Sequence, residues 1–287
     1  MGASFEIPEP LPLTEQRGQT FPSLVAIMQR LLGPGGCPWD QEQDLLSLRR
    51  FVLEEACEVI DAIEGGKPEE LAEELGDLAL QVAFLSELGR AKGWFGPDDA
   101  IRSIVEKLVR RHPHVFSDVE VQDSEEVLRN WETIKASEKR DRPLLAGVPR
   151  SLPALTRAQT LSERVARVGF DWPDGRGSRE KVSEELAELD EALAGDSREH
   201  MEHELGDLLF AVVNLARHAG FDAEGALRKA SDRFGARFGH VEARVKAVHG
   251  GWPKGSDGKP SRGLALEELD HYWDEAKALG VGSESSK

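Results

Sequence analysis

Residues 54–77 read EEACEVIDAIEGGKPEELAEELGD. Residues three or four apart on a helix share a face, so Glu55 and Glu58 point the same way, and so do Glu74 and Asp77. A glycine pair ends the first of these helices, and the proline after it suits the first turn of the second. An antiparallel hairpin of the two helices would therefore bring four carboxylates together.

The same pattern recurs 130 residues further along the chain, in residues 184–207. There Glu185 and Glu188 repeat the first acidic pair, and Glu204 and Asp207 repeat the second. A period of this length is too long for a solenoid, so it indicates one helical domain that was duplicated. Basic and aromatic residues further along each half also correspond: Lys107, Arg111, Trp131 and Lys135 in the first, and Arg233, Arg237, Trp273 and Lys277 in the second.

Helical periodicity recurs along the whole chain, and strand signals are almost absent. The sequence therefore predicts an all-α fold of two tandem duplicated domains, joined by a segment rich in proline. The predicted organisation is a disordered tail over 1–20, an N-terminal domain over 21–140, a linker over 141–153, a C-terminal domain over 154–279 and a frayed end over 280–287. The predicted helices cover about 45–63, 68–92, 97–113, 124–140, 154–167, 178–193, 197–219, 223–248 and 264–279, and a mobile loop is predicted over 250–263.

The composition excludes several classes of function. Among 287 residues, 36 are Lys or Arg and 53 are Asp or Glu, so the net charge is −17 and duplex nucleic acid is not expected as a partner. No apolar run approaches the ~20 residues that cross a bilayer, and the N-terminus lacks a signal-peptide pattern. The two cysteines, Cys37 and Cys57, are expected to be reduced. We therefore expect a cytosolic protein without a membrane partner.

Converging carboxylates repel one another, so something must neutralise them. Solvent or arginines could do so, and a divalent cation does it best. An acidic pair on one helix usually marks a solvated face, but pairs that border apolar residues and are repeated at fixed spacing favour a metal site. The donors are hard oxygens, which suits Mg²⁺ or Mn²⁺ rather than Zn²⁺. No histidine is predicted at a metal-ligand spacing, including His200 and His203, which argues against a di-iron bundle.

Two basic pairs are candidates for binding phosphate. Lys107 and Arg111 are four residues apart on one helical face, as are Arg233 and Arg237. They could meet a phosphate chain opposite a metal ion, or they could form a salt-bridged exterior face. Each tryptophan that follows could stack on a nucleobase or anchor a core. The sequence contains no phosphate-binding glycine loop of the P-loop or Rossmann type.

Longer motifs resemble the MazG family of nucleoside triphosphate pyrophosphohydrolases. The motifs are CPWDQEQ (37–43), the repeated EExxE and ExxD, KLVRRHPHVF (107–116), WExIKxxEK (131–139), VPRSLPALxRAQ (148–159) and VGFDW (168–172). The resemblance implies helical domains that pair into a homodimer with four-helix-bundle sites. It implies hydrolysis of an NTP or dNTP, with Mg²⁺ as cofactor, to the monophosphate and pyrophosphate, in a house-cleaning role for nucleotide pools.

The resemblance also implies roles for residues, with the C-terminal domain as the catalytic unit. Glu185, Glu188, Glu204 and Asp207 would hold Mg²⁺, and Glu184 or one of these acids could accept a proton from the attacking water. Lys181, Arg233, Arg237, Trp273 and Lys277 would contact the nucleotide and its phosphates. In the N-terminal domain the metal candidates are Glu55, Glu58, Glu74 and Asp77, and the nucleotide candidates are Lys107, Arg111, Trp131 and Lys135. That domain has Phe51 where the other has Lys181.

Two other functions are compatible with these sequence patterns. The first is a non-catalytic helical scaffold that senses a nucleotide or alarmone and uses the metal sites for regulation or dimer stability. The second is a plain helical interaction module whose acids are only solvated. The sequence leaves base and sugar preference open, and also whether the α or the β phosphorus is attacked.

Overall fold

The structure, a computed structural model, describes residues 20–137, 143–255 and 263–283. These residues contain no β-strand, which confirms the predicted all-α fold. Within the described part, no helix has the length and apolar character that crossing a membrane would need. The helices are α1 (Phe21–Leu32), α2 (Pro38–Gln41), α3 (Arg49–Gly65), α4 (Pro68–Ala91), α5 (Pro97–Arg111), α6 (Pro113–Phe116), α7 (Ser124–Ser137), α8 (Ala154–Ala166), α9 (Gly175–Leu193), α10 (Arg198–His218), α11 (Ala223–His249) and α12 (Leu266–Ala278).

The chain divides into two compact units, Met1–Arg140 and Asp141–Lys287. The predicted tail over 1–20 lies outside the described residues except for its last position, and so do residues 138–142, which include the end of the predicted N-terminal domain and the start of the predicted linker. The domain bounds therefore stay predictions.

The first unit is built around α4. Helices α1, α3 and α5 all pack on α4, and α7 packs on α5. The core holds Met28, Leu48, Ala83 and Phe84, each at most 4% exposed. Gly66 closes α3 in the left-handed conformation, with φ 66°, and its N–H donates to the Ala62 carbonyl. Such a φ favours glycine, so this residue permits the short connection to α4.

The second unit is built around α10. Helices α8 and α9 pack on α10, and α11 packs on α12 and α8. A core of Val241, Val245 and Tyr272 lies between α11 and α12. The side chain of Ser197 accepts a hydrogen bond from the N–H of His200, which caps the start of α10. The cap fixes where α10 begins after the turn from α9, and with it the height of the acids on the two helices.

The helix bounds differ from the predicted ones at a few places. The helices α1, α2 and α6 were not among those predicted, and α3 begins at Arg49 rather than near residue 45. The reason for the later start is a turn at Asp44, whose Oδ1 accepts the N–H groups of Leu46 and Ser47 at 2.8 and 2.7 Å. Asp side chains stabilise such turns in competition with helix.

Three segments predicted to be loose make tertiary contacts where they are described. In the predicted linker, the Ala146 carbonyl accepts a hydrogen bond from Arg164 Nη1 at 2.8 Å. At the predicted frayed end, the Val281 carbonyl accepts one from Arg237 Nε at 3.2 Å. In the predicted mobile loop, the ring of Trp252 stacks on Phe238 at 5.9 Å, while 256–262 lie outside the described residues. These contacts join residues far apart in sequence, so local composition could not predict them.

Candidate functional site

The α9–α10 hairpin gathers three acids of the second half at one place. Glu185 and Glu188 lie on α9 and Glu204 lies on α10, and one carboxylate oxygen from each lies within 4.8 Å of the others. Glu185 is 5% exposed and Glu204 is 7% exposed, whereas Glu188 is exposed. Two of the three carboxylates are therefore enclosed by protein, and the third faces solvent at the edge of the cluster.

The carboxylate of Glu185 is only half satisfied by the protein. Its Oε1 lies 2.7 Å from Lys181 Nζ, one turn earlier on α9. Its Oε2 is buried and has no hydrogen-bond partner among the described residues. Because a buried carboxylate oxygen without a partner costs free energy, this atom is suited to ligate a cation.

Burial and neighbouring charges shift the pKa of Glu188 and of Lys181. Burial raises the pKa of Glu188, and the nearby carboxylates of Glu185, Glu184 and Glu204 raise it further, while Lys181 lowers it. Hydrogen bonds to Glu184 and Glu185 raise the pKa of Lys181 well above its usual range. Lys181 therefore stays charged and compensates the acids beside it. Its predicted contact with phosphate, like the predicted proton-accepting role of Glu184, stays a prediction.

Two histidines extend the cluster along α10. His203 Nδ1 lies 3.2 Å from Asp207 Oδ2 and 3.4 Å from Glu204 Oε1, and His200 Nδ1 lies 3.3 Å from the same oxygen of Glu204. One ligand atom each of His203, Glu204 and Asp207 lie within 4.8 Å of one another. The prediction that no histidine lies at a metal-ligand spacing is therefore wrong for His203. Residues three or four apart on a helix meet, and that rule applies to imidazoles as well as to acids.

The first half forms a similar cluster on the α3–α4 hairpin. Glu55, Glu58 and Glu74 each bring a carboxylate oxygen within 4.8 Å of the others. Burial and then the charges of Asp77 and Glu58 raise the pKa of Glu55; burial and then Glu58 and Asp77 raise that of Glu74. Gln81 Nε2 donates to Glu55 Oε1 at 3.4 Å. Both hairpins thus gather carboxylates that favour binding a cation.

Four of the five predicted nucleotide-binding residues of the second half lie on α11 and α12, and the fifth, Lys181, lies on α9. The guanidinium of Arg237 lies 5.9 Å from the centroid of the Trp273 ring, and Trp273 also contacts Phe234 at 5.1 Å. Lys277 Nζ lies 3.0 Å from Asp274 Oδ1. Within the described residues, no hydrogen bond or ion pair joins Arg233, Arg237 or Lys277 to the acidic cluster, so their phosphate roles stay predictions.

The first half repeats one of these contacts. The guanidinium of Arg111 lies 5.7 Å from the centroid of the Trp131 ring, close to the distance between Arg237 and Trp273. Lys107 is partly buried on α5. The side chain of Lys135 lies outside the part of the chain that is described. The repeat therefore extends from the acids to an arginine–tryptophan pair in each half.

A cavity that the sequence did not predict opens beside α10. It has a volume of ≈ 550 Å³ and a mostly apolar lining that includes Phe210, one turn after Asp207. At its polar end, Arg217 Nη2 donates to Asp171 Oδ1 at 2.6 Å and Arg217 Nε donates to Asn214 Oδ1 at 2.8 Å. An apolar cavity with a few convergent polar groups is typical of ligand pockets. The available signal was the VGFDW motif, which contains Asp171.

Hydrogen bonds define the state of Asp171. Its carboxylate accepts from Arg217 and lies 2.9 Å from His218 Nε2, and these contacts hold its pKa below the usual range. Trp172, beside it in the chain, packs over the start of α9. A Cβ on Gly177 would lie 2.2 Å from an atom of the Trp172 ring, so only glycine fits this close approach. The wall of the cavity is therefore fixed by Trp172 against α9.

The sequence of both hairpins matches a known protein family. Segments 43–116 and 177–242 each match the family model of the MazG nucleotide pyrophosphohydrolase domain, and these segments contain both acidic hairpins.

Relatives that match most of this chain agree with the family model. The chain is 42% identical to a Thermotoga maritima protein named nucleoside triphosphate pyrophosphohydrolase/pyrophosphatase MazG, over 92% of this chain and 98% of the relative. It is 44% identical to the Escherichia coli K12 protein named nucleoside triphosphate pyrophosphohydrolase, over 88% of this chain and 95% of the relative. It is 42% identical to the Bacillus subtilis protein YabN over 90% of this chain and 51% of that relative. The resemblance seen in the sequence is thereby confirmed, and the chain belongs to the MazG family of nucleotide pyrophosphohydrolases.

Proposed function

We propose that the protein is a nucleoside triphosphate pyrophosphohydrolase that converts an NTP or dNTP and water to the monophosphate and pyrophosphate. The names of the Thermotoga maritima and Escherichia coli relatives, at 42% and 44% identity, give this activity and support the proposal. The observation that carries the proposal is the half-satisfied carboxylate of Glu185: its Oε2 is buried without a partner among the described residues, and Glu185 forms a cluster with Glu188 and Glu204. House-cleaning of nucleotide pools and a cytosolic location, both expected from the sequence, are part of the proposal.

The cofactor in this proposal is Mg²⁺, with Mn²⁺ as the alternative. Glu185, Glu188 and Glu204 would hold it, with Asp207 beside them, because hard carboxylate oxygens are the ligands that these ions prefer. When bound, the ion lowers the pKa of a water ligand and screens the charge of a triphosphate.

The chain's own residues position and neutralise the reacting groups in this proposal. Lys181 Nζ pairs with Glu185 Oε1, which would leave Oε2 of the same carboxylate for the ion. Glu184 is exposed beside Lys181 at 2.8 Å and would accept the proton of the attacking water. The guanidinium groups of Arg233 and Arg237 would stabilise the charge that develops on the departing pyrophosphate. Trp273 and Lys277 would flank the nucleotide.

We assign turnover to the second half, because the first half lacks a lysine like Lys181. Phe51 stands at that position, with the guanidinium of Arg50 4.5 Å from its ring centroid. Glu55, the counterpart of Glu185, instead accepts a hydrogen bond from Gln81. The first half would then bind a cation for regulation or structure.

A homodimer is part of the proposal. Leu205, Leu209 and Val212 on α10 are 47%, 51% and 45% exposed in the single chain. A helix that exposes such a row of apolar residues is suited to packing against a partner, and a second α9–α10 hairpin would complete a four-helix bundle.

Two measurements separate this proposal from its competitors. Purified full-length protein is incubated with Mg²⁺ and each NTP and dNTP, and release of pyrophosphate is measured. A sensing scaffold would bind nucleotide without releasing pyrophosphate. A plain interaction module would show no rise in melting temperature with Mg²⁺ and a nonhydrolysable triphosphate, whereas any ligand of the native state must raise it.

A further inference from the structure

We propose that the cavity beside α10 binds the nucleobase of the substrate, and that the amide of Asn214 selects bases that carry a keto oxygen. The proposal rests on the proposed function, because it takes the substrate to be a nucleoside triphosphate. Bases have flat faces that stack and edges that carry hydrogen-bonding groups. A site that distinguishes bases therefore needs an apolar wall and a polar group of fixed orientation.

The cavity lies at a suitable distance from the acidic hairpin. Asp207, Phe210 and Asn214 are spaced by three and four residues, so they share one face of α10. At a rise of about 1.5 Å per residue, Asn214 lies about 10 Å further along the helix than Asp207. A ribose and the first phosphate can span such a distance. A nucleotide whose phosphates lie at the acids would therefore bring its base to the cavity.

The walls of the cavity suit a flat heteroaromatic ring. Its volume of ≈ 550 Å³ lies within the range of about 300–1,000 Å³ that is typical of ligand pockets. Phe170, Trp172 and Phe210 line it together with aliphatic side chains. Because every base has a face that stacks on an aromatic ring, these walls supply affinity with little selectivity.

Asn214 supplies the polar group of fixed orientation. Its side chain lines the cavity, and the residue is only 8% exposed. Its Oδ1 accepts a hydrogen bond from Arg217 Nε at 2.8 Å, and a guanidinium only donates, so the contact fixes which end of the amide is the oxygen. The amide nitrogen Nδ2 has no partner among the described residues. An unpartnered donor on a buried side chain favours a ligand with an acceptor, such as the keto oxygen of a base.

The corresponding positions of the first half hold larger apolar residues. At a displacement of 130 residues, Ser162 and Asn214 of the cavity correspond to Leu32 and Phe84. Phe84 is 4% exposed in the core of the first unit, and Leu32 packs against that core. An exchange of such residues for smaller polar ones gives up packing, which is expected where a ligand fills the space.

The competing explanation is that the cavity binds an effector rather than the substrate. A change at Asn214 would then alter the turnover of every nucleotide by the same factor. A base in the cavity makes the same change act differently on bases that differ at one edge. Uracil has a keto oxygen where cytosine has an amino group, and hypoxanthine and adenine differ in the same way. UTP with CTP, and ITP with ATP, are therefore the pairs to compare.

The test measures kcat/KM for both pairs with full-length protein and Mg²⁺. Asn214→Asp can still accept from Arg217, but it replaces the donor with an acceptor, which repels a keto oxygen and accepts from an amino group. We expect the keto-to-amino ratio of kcat/KM to fall by about tenfold or more in this variant. The control Gln122→Glu makes the same change at an exposed residue before α7 and should leave the ratio as it is. Ratios that Asn214→Asp leaves unchanged in both pairs would overturn the proposal.

A second variant tests the cavity itself. Ser162→Leu combined with Asn214→Phe places the first-half residues in the cavity, so we expect KM to rise by about tenfold or more for all four nucleotides. The melting temperature should not fall, because filling a cavity restores packing. An unchanged KM in a folded double variant would count against a base in this cavity.

A binding measurement separates this inference from the proposed function. Calorimetry with nonhydrolysable analogues of UTP and CTP gives the same ratio from Kd, without turnover. A ratio that falls in Asn214→Asp, with no pyrophosphate released from any substrate, would contradict the proposed function and support this inference. Release of pyrophosphate with the same ratios in both proteins would do the reverse.

Discussion

Lys181 Nζ lies 2.7 Å from Glu185 Oε1, one turn away on α9, while the other oxygen of Glu185 is buried without a partner among the described residues. The ammonium group of Lys181 neutralises one oxygen of a buried carboxylate. A divalent cation could bind the other oxygen, Oε2. This relationship links the sequence, the stability of the hairpin and the proposed chemistry.

Removing the lysine should destabilise the protein most when no metal ion is present. Lys181→Ala leaves both oxygens of a buried carboxylate unpaired, so we expect a loss of about 1–3 kcal/mol in the free energy of unfolding. Saturating Mg²⁺ should shrink that loss, because an ion that binds the native state stabilises it. Denaturant unfolding with and without Mg²⁺ measures both effects.

Arg102→Ala is the matched control for this prediction. Arg102 pairs with Asp99 at 3.3 Å on an exposed face of α5, so its loss should cost under about 1 kcal/mol with or without Mg²⁺. Equal losses for the two variants, both insensitive to Mg²⁺, would contradict the role given to Lys181.

Replacement of the α10 acids should stop turnover while leaving the fold intact. We expect Glu204→Ala and Asp207→Ala each to lower pyrophosphate release by about a hundredfold or more, because each would remove a proposed oxygen donor of the ion. Helix content, measured by circular dichroism, should stay nearly constant. Mg²⁺-dependent turnover that persists in both variants would refute the assignment of this site.

The corresponding changes in the first half test which half is catalytic. Glu74→Ala and Asp77→Ala occupy the repeat positions of Glu204 and Asp207. We expect them to reduce turnover far less, since that half has Phe51 in place of Lys181. A greater loss from the first-half pair than from the second-half pair, in the same assay, would reverse the assignment.

Low pH should destabilise the protein at Asp171, which lines the cavity beside α10. Arg217 and His218 lower the folded-state pKa of this carboxyl below its unfolded value, so its stabilisation is present above the unfolded pKa of about 3.9 and is lost as pH falls through the folded pKa. The unfolding free energy of Asp171→Asn should therefore lie below that of the unmodified protein at pH 6, and the two should converge below about pH 4. A difference independent of pH would contradict this account.

Crowding at Gly177 should make that position intolerant of a side chain. A Cβ there would meet the Trp172 ring at 2.2 Å, so we expect Gly177→Ala to destabilise the protein by about 1–3 kcal/mol. Gly239→Ala, inside α11 with nothing within 4 Å of its Cβ position, should instead be neutral or stabilising by up to about 1 kcal/mol. Thermal unfolding of the two variants checks the contrast, and a reversed order would show that the ring moves freely.

A charge on the exposed face of α10 should separate the proposed dimer. We expect the unmodified protein to elute with the mass of a dimer in light scattering and Leu209→Glu to elute as a monomer. Leu279→Glu, at a side chain that is 65% exposed after α12, serves as the control and should stay dimeric. A monomeric unmodified protein would contradict the proposal of a four-helix bundle between two chains.

The acidic hairpins could be predicted from the sequence because helical spacing and an internal repeat are both local patterns. The same repeat sets His203 at the position of Glu73, and the helical spacing that predicts the acidic pairs also predicts the approach of this imidazole to Asp207. The pairing of Asp171 with Arg217 and of Arg237 with Val281 spans 46 and 44 residues. Only the packing of the helices creates such contacts, so no local pattern predicts them.

The most direct test of the central claim compares the unmodified protein with Glu185→Gln by ³¹P nuclear magnetic resonance, using Mg²⁺ and a panel of NTPs and dNTPs. Glu185→Gln keeps the shape of the side chain and removes the charge that the buried Oε2 offers to an ion. The account predicts equal amounts of monophosphate and pyrophosphate from the unmodified protein, and neither product from the variant. The same products at the same rate from both proteins, or no pyrophosphate from either with any substrate, would contradict it.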